Sequence, residues 1–450
     1  DGRRGGAAGK KGQKQADETI GQSAQGRIIG AAPACCLSRP HSPAYIQPIH
    51  PAHLSSPLPA AKFRTRRHAR AGMAGFGFNP QVVSLSAPAK KSNGGYHQAL
   101  AKDVAGITRK VIVDALDSAS IPTDSLTHKR VCVFYGGPGM LPEIANFLPY
   151  IRRNDKNDIS FHRGIHNLTF ENHNQDAVAR LLRDGLGLRE RPISVYSASC
   201  SSFAAAYLAY CSVKSRTCDL AIAVSFQHVS LFDLMFMNGF GGVAAGRSGP
   251  FSANGEGTVL GDGACAMVLE SPAHLHARKG TPYASMDSMV MRQSAGTVSR
   301  STTFTSDFRV IGRTIAKAME DANGLGANGI ACVFPHGNGI RSSDRSEALA
   351  LQKVWGALDT PVVSYKAQIG YLMASSALVD MALMSGFLGS GSLPAFKCEG
   401  EVDAGLGINL HANKSAYRLS GNAGVKIGLG IEGSVGAAVI RSLRWRRRSP

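Results

Sequence analysis

The sequence predicts a layered α/β protein made of two duplicated halves, and three observations carry that expectation. Strand-like and helix-like segments alternate past residue 105. Two distant stretches, "VCVFYGGPG" (131–139) and "ACVFPHGNG" (331–339), share the pattern x-C-V-F-x-x-G-x-G, each a buried strand entering a glycine loop. Each is followed by a second strand that delivers a small-residue helix, "ISVYSASCSSFAAAYLAY" (193–210) and "VVSYKAQIGYLMASSALVDMALM" (362–384).

Residues 1–72 are rich in Ala, Pro, Ser, Arg and His, carry 12 basic against 3 acidic residues, and show no periodic apolar face. They are expected to be a disordered basic extension, either a targeting segment or translated upstream sequence with Met73 as the start. Residues 74–280 form the first expected half, 281–440 the second, and 441–450 a basic tail. A chain of 450 residues, 44% hydrophobic, is long enough for one large or two fused cores. The net charge of +19 invites a nucleic-acid reading, but outside the two tails 33 basic residues face 28 acidic ones. With the excess mostly in the tails and the rest of the chain nearly balanced, nucleic-acid binding is not expected. No apolar run of about 18 residues was found, so no membrane span is expected. Nine cysteines without paired metal-ligand spacing fit reduced, intracellular thiols and no metal site. The expected location is the cytoplasm, or a plastid or mitochondrion if the extension is a transit peptide.

Cys200 is the first candidate for chemistry. The run Ile193-Ser194-Val195-Tyr196 is β-rich, and Ser201 to Tyr210 has the alanine density of a tightly packed helix, which places Cys200 near a helix N-terminus. There the free amides and the helix dipole favour a thiolate. The plainer alternative is a small buried cysteine. If the halves pack face to face, the loops after their strands converge, and Cys200 meets His336 and the Lys366 to Tyr371 loop.

Five blocks in order resemble the β-ketoacyl synthase branch of the thiolase superfamily over roughly residues 105–440. "SASCSSFAAAYLA" resembles its T-A-C-S-S-S element, "CDLAIAVSF" the next strand, and "FSANGEGTVLGDGACAMVLE" its F-D-x-x-A-D-G block. "PHGNGIRSSDRSEALAL" resembles E-A-H-G-T-G-T-x-x-G-D-x-x-E, matching at His336, Gly337, Gly339, Asp344 and Glu347, and "SYKAQIGYLMASSALV" resembles S-x-K-x-x-I-G-H-x-x-x-A-A-G.

The resemblance implies a five-layered α-β-α-β-α thiolase-like fold and a carrier-dependent acyltransferase of fatty acid or polyketide biosynthesis. An acyl group on the phosphopantetheine arm of an acyl carrier protein would pass to Cys200 as a thioester, with no cofactor bound to the chain. Amides at Cys200 and in the loop "GLGIEGSVGAA", which contains Gly433, would hold the oxyanion. His336 matches the first enolate-stabilising histidine, and Lys366 matches a lysine that orders the site through a carboxylate, here assigned to Glu347, with Asp344 in support. The implied partners are acyl carrier protein and a second copy or another ketosynthase subunit.

The departures matter as much. Tyr371 stands where the family has its second histidine, and a phenol donates a hydrogen bond without supplying an imidazole's charge near neutral pH. Ile431 replaces a gating Phe, Glu432 a Gly, and Ser252 an Asp. A carboxylate at Glu432 would disfavour an anionic extender such as malonate. The opening strand is at best a remnant within residues 74–100. The strip Phe232, Met235, Phe236, Phe240 has helical spacing and fits core or dimer packing first, with Phe236 also a candidate for acyl-tunnel lining. Four readings stay open: an acyl-transferring condensing enzyme, a partner resembling a chain-length factor, a non-condensing acyl transferase, and a nucleic-acid binder. Retention of Cys200 and His336 favours the first over the second.

Overall fold

The computed structural model describes residues 44–46, 100–139, 174–239 and, with short internal gaps, 242–443. Met73, the segment 74–99, Phe240 and the last seven residues lie outside the described residues, as does the extension apart from β1 (Ala44–Ile46). Those three residues depart from the expected disorder of residues 1–72, because they form strand pairs on both sides.

The first half runs α1 (Ala101–Ser118), β2 (Val131–Gly136), α2 (Gln175–Leu186), β3 (Ile193–Val195), α3 (Ser201–Lys214), β4 (Leu220–Gln227), α4 (Leu231–Gly239), β5 (Gly263–Glu270) and α5 (Pro272–Ala277). The second runs β6 (Ala284–Gln293), α6 (Phe308–Asp321), β7 (Ile330–Phe334), α7 (Arg341–Trp355), β8 (Leu358–Val362), α8 (Lys366–Ile369), α9 (Ser376–Ser390) and β9 (Ser392–Leu393). It closes with β10 (Ile408–Leu410), β11 (Tyr417–Arg418), β12 (Ala423–Leu429) and β13 (Ser434–Ser442).

Both copies of the C-V-F echo are strands, β2 and β7, and each sits at the same place in its half. β2 is parallel to β3 and β4, and β4 is antiparallel to β5. In the same way β7 is parallel to β8 and β12, and β12 is antiparallel to β13. Among the described residues the main sheet reads β10-β8-β7-β12-β13-β6-β1-β5-β4-β2-β3. β6 flanks β13, and β1 flanks β5 from the equivalent side, so β1 takes the place of an opening strand.

Helices cover these strands in layers. α1 covers β4 and β5 and packs against α2, which also touches β3; α6 covers β6 and β13 and packs against α7, which also touches β8 and β10. Between them lie α3 and α9, each touching strands of both halves. Their small residues permit that close fit: on β12 and β13 the positions of Gly428 and Gly436 are filled by the Phe203 ring, within 3 Å of where a Cβ would stand. α9 has almost no polar face, as expected of a helix buried all round. Together with the turn before it, α9 also corrects the sequence expectation that no span-length apolar run exists. Met373–Ser390 is long and apolar enough to cross a membrane by length and composition, but 67% of it is buried within the protein, as in a core helix.

Candidate active site

The β3–α3 connection tightens into a 3-10 turn, Ala198–Cys200, and Cys200 caps α3. Ala198 takes a left-handed φ of 40°, a conformation that a non-glycine residue adopts only when its surroundings hold it there. The turn is held by Ser201 Oγ, which donates to the Ala198 carbonyl at 2.7 Å and accepts from the Ser197 amide at 2.9 Å. Cys200 is thereby fully buried.

Burial, then the negative field of Glu432, pushes the Cys200 thiol up to about 12, against the opposite effects of a Ser434 hydrogen bond and Lys426. This runs against the expectation of a thiolate favoured by the helix start, because burial disfavours the charged sulfur. The Cys200 amide, expected to hold an oxyanion, donates instead to the Ser197 carbonyl at 2.7 Å.

From the other half come His336 and Tyr371, both buried. The Tyr371 hydroxyl lies 3.3 Å from His336 Nε2, and the two rings meet edge to face at 5.4 Å. That hydroxyl also bonds Ser199 and Asn338, next to Cys200 on one side and His336 on the other, and burial raises its pKa. Gly370 permits this placement with φ +79°, since a Cβ there would stand 2.9 Å from the Gly261 Cα. His336 is held neutral, its pKa well below 6.5, by burial and by the positive charges of Lys366 and Lys426.

Lys366 does not pair with Glu347. Its Nζ bonds Asp380 Oδ2 at 2.6 Å, and Lys426 Nζ shares the same oxygen at 2.7 Å. Glu347 instead accepts the amides of His336 at 2.6 Å and Gly337 at 2.7 Å, which fixes the turn that carries the imidazole. Asp344 accepts the Phe251 amide at 2.7 Å and so ties the His336 segment to the first half. Burial raises both carboxyls to about 7. Asp380 stays below the usual carboxylate range: burial opposes its charge, but two lysines outweigh that cost.

The turn between β12 and β13 faces Cys200. Gly433 is buried there with φ +95°, and its amide donates to the Gly430 carbonyl at 2.9 Å. The exposed Glu432 accepts from Ser197 Oγ at 2.6 Å and from Ser434 Oγ, linking this turn to the loop that leads into the Cys200 turn. Ile431 is half-buried in the same turn. Phe236 lies apart on α4, 40% exposed and close to Phe232 (50%) and Met235 (57%), which does not fit a buried tunnel lining. Ser252, the substituted Asp position, is buried and bridges to Val402.

Sequence reasoning missed Lys426, Asp380, Asn338 and Ser199. A signal existed for the first two: each is the lone charge in an apolar run, "AGVKIGLG" and "SALVDMALM".

Sequence profiles described as "Beta-ketoacyl synthase, N-terminal domain" and "Beta-ketoacyl synthase, C-terminal domain" match residues 105–274 and 283–397. The chain belongs to the β-ketoacyl synthase family. A curated relative, the tetracenomycin polyketide synthase ketoacyl synthase alpha subunit of Streptomyces glaucescens, is 27% identical over 198 residues, 44% of this chain and 45% of that protein. The chain thus spans less than half the length of the curated relatives it matches. A solved β-ketoacyl synthase from Burkholderia phymatum superposes with a TM-score of 0.65 at 20% identity, over 76% of this chain and 82% of that one. The ishigamide ketosynthase/chain length factor does so at 0.66 and 18% identity, over 77% and 84%. These likenesses establish the thiolase-like α/β fold expected for this β-ketoacyl synthase family member.

Proposed function

We propose that this chain transfers acyl groups through Cys200 in polyketide or fatty acid biosynthesis, taking them from the phosphopantetheine thioester of an acyl carrier protein. The observation that carries the reading is the convergence, in one buried site, of Cys200 from one half with a neutral His336 and Tyr371 from the other. With the thiol pushed up to about 12, sulfur attack requires that its proton leave as the S–C bond forms. The carrier thiol departs with a proton, and the acyl group remains on Sγ. The Tyr371 hydroxyl and His336 Nε2 form one hydrogen-bonding edge able to face an oxyanion.

Glu432, bonded across the front of the Cys200 turn, disfavours a second carboxylate, so neutral acyl chains are the preferred substrates. Dimerisation belongs to the same reading. Among the described residues β3 is the last strand of the sheet, Ile193 and Tyr196 are 52% and 66% exposed, and α4 presents Phe232, Met235 and Phe236 to solvent.

A second reading, a partner subunit resembling a chain-length factor, is favoured by Tyr371 and by the engaged Cys200 amide. Intact-mass spectrometry with acyl carrier protein separates the two. Acyl transfer predicts an adduct on Cys200; if neither the wild type nor Tyr371→His forms one, the partner reading stands. Adding malonyl carrier protein then shows whether carbon–carbon bond formation follows.

A further inference from the structure

Lys426 is an improbable residue where it stands. It is fully buried on β12, between Val425 and Ile427, with glycines two positions away on either side. Alternation along the strand puts Gly424, Lys426 and Gly428 on one face, toward the central helices. A Cβ at Gly424 would touch Met384 of α9, and one at Gly428 would stand 3.3 Å from the Cys200 sulfur. The two missing side chains leave room for a long one, about 7 Å along the strand from the space beside the sulfur. Lys426 Nζ fills that room with two strong hydrogen bonds, to Asp380 Oδ2 at 2.7 Å and to the carbonyl of Pro335, the residue before His336, at 2.8 Å.

Two ammonium groups on one carboxylate oxygen exceed what neutralising Asp380 requires. Lys366 already pairs with it at 2.6 Å, and burying a second cation is costly. We propose that Lys426 is a positioning residue for the reaction at Cys200: it clamps Asp380 to the His336 turn and supplies the positive charge that Tyr371 does not. Its role in acyl transfer rests on the function proposed above; its effect on the sulfur does not.

The groups around it are Asp380 on α9, Lys366 on α8, Glu347 on α7, the Pro335 carbonyl and His336 after β7, and Cys200 before α3, with Glu432 acting on the same sulfur from the β12–β13 turn. Burial brings Lys426 down to about 8, so it is charged at neutral pH and loses its charge in mild alkali. While charged, it favours the Cys200 thiolate; once neutral, it no longer does.

The test is site-resolved mass spectrometry of Cys200 alkylation by iodoacetamide across roughly pH 6.5 to 10, which needs no acyl carrier. In the wild type the rate should climb with pH and flatten above about 8 as Lys426 discharges. Lys426→Met should react more slowly at neutral pH by roughly tenfold or more, the order of effect of losing one nearby buried charge, and should climb without flattening. Lys426→Arg, charged throughout, should match the wild type near neutrality and keep climbing past the wild-type plateau. A purely structural role would shift the profile without removing the inflection. A Met variant that still flattens, an Arg variant as slow as Met, or a wild-type Cys200 inert throughout would overturn the proposal. If Lys426→Met does not fold, the Arg profile decides alone. Wild-type protein that alkylates as described but takes no acyl group from carrier protein would sink acyl transfer and leave the role of Lys426 standing.

Discussion

The chain turns into a central helix twice, before α3 and before α9, and the two turns are near copies of each other. Ala198 and Met373 both take left-handed φ values, 40° and 39°. Cys200 and Ser375 follow at φ −96° and −92°, and Ser201 and Ser376 open their helices at −54° and −55°. The first turn carries sulfur, with Ser434, Glu432 and Lys426 acting on it. The second carries a buried hydroxyl with no hydrogen-bond partner among the described residues. A strained turn at a helix start does not make a nucleophile by itself. What differs is the set of groups that the other half brings to it.

The largest effect that could break this contrast comes from truncating both turn residues. Cys200→Ala should abolish the acyl adduct in intact-mass spectra, whereas Ser375→Ala should retain it and gain about 1 kcal/mol of stability by removing an unsatisfied buried hydroxyl. Adduct formation lost with Ser375→Ala would mean that the second turn takes part in the chemistry.

Next in size is Tyr371→Phe. It deletes the hydroxyl that bonds Ser199 in the first turn and faces His336 in the other half. Acylation should slow by roughly a hundred- to a thousandfold, as for loss of an oxyanion donor. An unchanged single-turnover rate would assign that edge to packing.

Smallest are the glycine substitutions. Ala198→Gly should raise thermal stability by up to about 1 kcal/mol, relief of left-handed strain being partly offset by the freer unfolded chain. Met373→Gly should lower it, because the Met373 side chain packs against the cluster of Met237, Leu260 and Tyr371. Equal shifts in a denaturant titration would mean that backbone strain alone governs both turns.

Much of this was legible in the sequence for a local reason. A strand, its glycine loop and the helix that follows are written within about 20 residues, so Cys200, His336 and Tyr371 could be placed from their own neighbourhoods. The Lys426–Asp380 pair could not, because 46 residues separate its members and only packing joins them. The carboxylate assigned to Lys366 failed for a related reason. Glu347 lies nearly two turns into α7, beside two amides of the sharp His336 turn that need acceptors, and these took it. Lone charges in apolar runs were the available warning, since a buried charge requires a partner somewhere.

The burial of α9 has a consequence during synthesis. This helix has the composition of a membrane span, yet two of the strands that cover it, β12 and β13, are encoded after it and end only at Ser442. At roughly 5–20 residues per second, the ribosome needs about 3 to 10 s to add the 52 residues from Ser390 to Ser442. For that interval the nascent chain carries a greasy segment with half its shelter unbuilt, a target for chaperones, for neighbouring chains on the same message, and for any membrane within reach.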